Sequence, residues 1–218
     1  MATFLSIVNE VLARLREDPV SSVNQTAYSK MIGYYVNDTK RQVEDAWDWD
    51  ALTSSISVIV SPGTTRYTVT GSGTRFKNVF VNNISNGFKH PVEPIGYATL
   101  LTYEQMATTT ITAPPRWFSW YGNNGTDGIV AIYPSPSATF TLSFNMNVPQ
   151  VDLVADTDVL LVPSDPVVAG ALARALVERG EDGGLSSSEA YGLYKGILAD
   201  RIAIEQTRSP EYDMWEVV

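Results

Sequence analysis

One histidine, His90, stands in a chain that has no cysteine, so any nucleophile–base–acid relay would have to run through that single imidazole. Lys89 precedes it and Pro91 follows it in a segment of strand character, and no nucleophile motif surrounds it. It reads as a hydrogen-bonded structural side chain. Asp152, Asp156 and Asp158 are close enough in sequence to gather a hard cation, but their spacing is not that of a calcium loop and no glycine turn divides them. They read as a turn and a solvated face. Gly71-Ser72-Gly73 follows a strand pattern, yet it lacks the third glycine, the Lys-Ser/Thr pair and the following helix that a phosphate cradle needs. It reads as a hairpin turn. The expectation is a protein that catalyses nothing and holds neither metal nor cofactor.

Aromatic residues carry more information. Trp117, Phe118, Trp120 and Tyr121 form the densest cluster, and such rings can stack on sugars or on unpaired bases. Strand alternation places Trp117 and Tyr121 on one face and Phe118 and Trp120 on the other, so at least one pair joins a core, and a core or subunit contact is expected ahead of a ligand platform. Tyr212, Met214, Trp215 and Val217 are large apolar residues on a C-terminal tail, where exposed tryptophan calls for a docking partner. Trp47 and Trp49 close a long helical pattern and are expected in the core where helix gives way to strand.

The formal charge of -9, from 15 basic and 24 acidic residues, argues against a surface that grips nucleic acid by neutralising phosphates. Without cysteine there is no disulfide, no thiolate nucleophile and no thiolate zinc site. Thr3 to Glu17 has no basic n-region, so no signal peptide is expected. The long uncharged stretch from Gly128 to Val151 is interrupted by Pro134, Pro136 and Pro149, and no membrane segment is expected.

Apolar positions recur at helical spacing near both ends of the chain and at strand spacing between them. Thr3 is a natural N-cap for a first helix with Phe4, Val8, Val11, Leu12 and Leu15 on one face, stopped by Asp18-Pro19. A second helix, about Asn24 to Trp47, would span roughly 35 Å, and Gly33 would let a neighbour approach closely. From 53 to 148, runs such as Ile56-Val58-Val60 and Phe140-Leu142-Phe144-Met146-Val148 alternate with polar residues. Residues 94–111 fit either a short helix or a packed loop. Asp165-Pro166 reads as an N-cap and first helical position and Gly180 as the stop, and Ser186 to Glu189 reads as a capping box for a last helix. The fold expected is α+β. Residues 1–52 and 163–207 form a helical bundle, 53–162 an inserted antiparallel sandwich or partly open barrel, and 208–218 a C-terminal arm.

Lys40-Arg41-Gln42-Val43-Glu44-Asp45-Ala46-Trp47-Asp48-Trp49 resembles the helix end of head-to-tail adaptor proteins of short-tailed bacteriophages. Pro115-Arg116-Trp117, then Asp127-Gly128 with Ile132-Tyr133-Pro134-Ser135-Pro136, and the strand up to Val148-Pro149 are similar to the middle of related adaptors. The closing helix pair from Asp165 also fits. The resemblance implies a homo-oligomeric virion ring of about twelve copies, assembled in the host cytoplasm. That ring would join the portal protein to a tail nozzle or tail tube protein. It implies a lumen through which DNA passes without specific binding, a portal-docking arm at Tyr212, Met214, Trp215 and Val217, and a tail-facing or subunit surface at Trp117, Phe118, Trp120 and Tyr121. The alternative from a different class is a carbohydrate-binding module of a phage host-attachment protein, using Trp117, Trp120 and Tyr121.

Overall fold

A computed structural model describes residues 2–85, 87, 89–107, 109–180 and 187–208. It divides into two compact units, Met1–Ala51 with Gln150–Val218, and Leu52–Pro149. The chain is α+β, with helices toward both termini and a largely closed, mainly antiparallel β-module between them in sequence.

In the helical unit, α1 (Phe4–Arg14) starts where the Thr3 hydroxyl accepts from the Ser6 amide and the Ser6 hydroxyl accepts from the Thr3 amide at 2.8 Å. The same reciprocal pair, Thr26 with Ser29, opens α2 (Ala27–Ala46). This box places the start of α2 after Asn24. A Cβ on Gly33 would meet Val23 at 2.9 Å and Phe4 at 3.1 Å, so the glycine is where α1 comes close. Helix α4 (Ser164–Arg179) begins one residue before Asp165, behind Pro163 and without a side-chain cap. Asp165 therefore sits in the first turn, where its charge suits the helix dipole, and it pairs with Arg201 of α5 (Ser187–Gln206). Gly180 ends α4 in the left-handed region, φ 61°, donating to the Leu176 and Val177 carbonyls. The expected capping box of α5 includes Ser186, which lies outside the described residues.

The β-unit contains β1 (Thr53–Val60), β2 (Arg66–Val69), β3 (Lys77–Asn83), β4 (His90–Pro94), α3 (Tyr97–Met106), β5 (Thr112–Ala113), β6 (Trp117–Asn123), β7 (Gly128–Tyr133), β8 (Ser135–Pro136) and β9 (Phe140–Asn147). Seven strands form one sheet in the order β1-β9-β3-β4-β6-β7-β2, and its end strands β1 and β2 approach each other without a ladder. Val58, Val60, Val69, Val81, Phe118, Val130, Ile132, Leu142, Phe144 and Met146 fill the inside. Expected alternation is clearest in β9, whose Phe140, Leu142, Phe144 and Met146 are all buried.

Three local features depart from expectation. β4 and β6 run parallel, Glu93 opposite Trp117, because the connection between them is long enough to hold a crossover helix, α3. Residues 94–111 thus contain a true helix. Gly71-Ser72-Gly73 is a turn, but it links β2 to β3, which do not pair with each other. Asp127 holds it, accepting from the Gly71 and Gly73 amides at 2.9 and 3.2 Å. Finally, residues 150–162 belong to the helical unit, for reasons that α2 makes plain.

Candidate functional site

Helix α2 carries an unusual polar face. Lys40 and Glu44, one turn apart, are both fully buried and lie 3.0 Å from each other. The Lys40 ammonium also donates to the Gln150 carbonyl at 2.6 Å, and the Glu44 carboxylate accepts from the Gln150 amide at 3.1 Å. Asn37 repeats the pattern one turn earlier, donating to the Leu153 carbonyl and accepting from the Leu153 amide. Arg41 grips both oxygens of Asp152 at 3.0 and 2.7 Å, and this carboxylate holds the guanidinium above its usual pKa. Residues 150–153 are thereby clasped along α2, and the buried Lys40 ammonium and Glu44 carboxylate each meet a backbone group of Gln150.

The resemblance-bearing segment builds this clasp. Trp49 is buried, 1 % exposed, and its indole donates to the Val43 carbonyl at 2.7 Å. Trp47, expected beside it in the core, is only half-buried. Asn37, the inward face of Lys40 and the part played by Glu44 were not foreseen. A Lys–Glu pair at this spacing normally reads as a solvated helix face.

The second surface lies on α4 and α5. Helix α5 buries Ala190, Tyr194, Leu198 and Glu205. Leu193 and Ile204 are 55 % and 47 % exposed, and Ile197 falls on the same flank. Tyr191 and, on α4, Val177 are exposed as well. Gln42, Gly170, Ala173, Arg174, Tyr191 and Tyr194 line a groove of about 470 Å³ here. A helix with apolar side chains beyond its buried face is not finished as a surface.

The aromatic cluster divides by face as alternation demands. Phe118 is buried, and Trp120 packs at 4.3 Å from Phe76 and 5.8 Å from Phe144, ring centre to ring centre. Trp117 and Tyr121 point the other way. Trp117 stacks on Tyr133, its partner across the ladder, at 6.1 Å, and Tyr103 of α3 leans on both. Tyr121 packs on Tyr97 and under the Arg66 guanidinium, 5.0 Å from the ring centre. A ligand platform that includes Trp120 is therefore not what the β-unit presents.

The remaining candidates resolve into local structure. The imidazole Nε2 of His90 lies 2.8 Å from the Pro115 carbonyl. Asp158 accepts from the Val154 and Ala155 amides, which hold its carboxyl below the usual range. Asp156 accepts from the Val23 amide at 2.9 Å, and Asp152 faces Arg41. The three carboxylates thus serve separate partners, and among the described residues no group of three or more His, Asp or Glu side chains is placed to hold a metal ion. No described helix is long and apolar enough to cross a membrane. Tyr212, Met214, Trp215 and Val217 lie outside the described residues. In comparisons with known proteins, no family model matches this chain and no curated protein sequence matches it.

Proposed function

We propose that the chain is a non-enzymatic structural subunit, the head-to-tail adaptor of a tailed bacteriophage. Copies of it stand side by side in a ring between the portal protein and the tail nozzle or tail tube. The observation that carries this reading is the apolar flank of α5, where Leu193 and Ile204 are exposed and Ile197 between them is half-buried. A second copy would cover it. The clasp built from Lys40, Arg41 and Glu44 supports the reading from another side, because it gives a physical task to the segment that resembles phage adaptors. An acidic balance suits a lumen that DNA must pass without adhering. The outer Tyr121 patch is then available to the next tail component, and the C-terminal arm to the portal.

Sedimentation velocity of the chain alone and mixed with the portal of the same virus tests this. Assembly into a ring, alone or on the portal, is expected. A species that stays monomeric in both samples contradicts it.

A further inference from the structure

Three neighbouring strands of the β-unit place side chains in one outward row. Glu93 of β4 is in register with Trp117 of β6, and Trp117 with Tyr133 of β7. Paired residues project to the same side of a sheet, and this side is opposite the one on which Phe118 joins the core. Beside the row lies a groove of about 730 Å³ lined by His90, Pro91, Glu93, Pro114, Arg116 and Trp117. Glu93 and Arg116 are exposed and Trp117 is half-buried.

We propose that this groove binds a neutral saccharide. An indole face is electron-rich and meets the C–H face of a sugar ring, which is apolar on that side. The Glu93 carboxylate beside it is a charge-assisted acceptor for ring hydroxyls, and the Arg116 guanidinium a donor. One acid and one base leave no net charge in the groove to select a charged ligand, and the chain's charge of -9 disfavours anionic glycans further. An extended peptide is a poorer match, because β4 and β6 each have a neighbour on both sides and offer no edge for strand addition. The inference uses only residues of the β-unit and is independent of the ring reading, which uses α4 and α5.

The test is a glycan array of neutral oligosaccharides probed with the full chain, followed by titration of the best binder using tryptophan fluorescence. Retention of a neutral glycan is expected. Trp117→Ala should weaken it by about a hundredfold or more, and Glu93→Gln by about tenfold. Glu93→Gln, at an exposed position, should melt close to the wild type, and it keeps the test valid if Trp117→Ala, which loses the packing on Tyr133 and Tyr103, fails to fold. An array without a neutral hit overturns the proposal, as does binding that both variants leave unchanged. A chain that binds glycan but forms no ring would sink the ring reading alone, and a ring without glycan binding would sink only this one.

Discussion

The Lys40 side chain is fully buried, and its charge is tolerated because Glu44 and the Gln150 carbonyl both meet it. Removing one member of such a set leaves the other buried and unsatisfied, so Lys40→Ala should cost about 3–5 kcal/mol in urea unfolding. The exposed pair Arg14–Glu10 has the same spacing, and Arg14→Ala should cost less than about 1 kcal/mol. Equal losses would show that the clasp is ordinary. Trp49→Ala should likewise cost about 3–5 kcal/mol, with Trp47→Ala clearly milder. The carboxyl of Asp158 is held low by two amides, so its contribution is fully present above the unfolded carboxylate value of about 4 and disappears as pH falls through the lower folded value. Asp158→Asn keeps the acceptor and loses the charge, and its stability should fall less steeply in acid. What decides burial at this scale lies far away in sequence. Nothing within 37–49 announces that residues 150–153 will cover it, which is why Trp49 and Trp47 looked alike and Lys40 looked solvated.

At the scale of elements, start and stop signals were legible because they are local. Thr3, Gly180 and the alternation of β9 each act through neighbours a few residues away. Asp165 misled by one position, since carboxylate and proline also fit a first turn. The parallel β4–β6 pairing was not legible, because it depends on α3 being a helix, and 97–106 has no clear amphipathic stripe. Helix α5 gives the sharper prediction. A Cβ on Gly170 would meet Thr39 at 2.4 Å and Tyr194 at 3.1 Å, whereas one on Gly196 would meet nothing within 4 Å. Gly170→Ala should therefore lower the melting temperature, while Gly196→Ala should raise single-chain stability by about 0.5–1 kcal/mol through helix propensity alone. Leu193→Glu combined with Ile204→Glu alters only exposed positions of the single chain. It should leave melting nearly unchanged and abolish self-association, and a double variant that still assembles would remove α5 from the interface.

For the whole molecule, the α+β class was readable from the switch of period from helical to strand and back, with a partly open barrel among the forms expected of the inserted module, and the strand order was not, since it depends on which strands meet. The boundary at 149/150 was missed because 150–162 has no period of its own. Its polar residues are satisfied by α2 and by the chain's start, where the Phe4 amide donates to the Asp158 carbonyl at 2.8 Å. A chain that leaves a helical unit, builds a barrel and returns to be clasped keeps its N-terminal and C-terminal helices in one body, and that body carries the exposed apolar flank of α5. Ring assembly on the portal is the claim on which the functional reading depends. Negative-stain imaging of the full chain mixed with the portal of the same virus measures it directly: rings of added density with the portal's rotational symmetry are predicted, and bare portals beside free monomers would contradict the account.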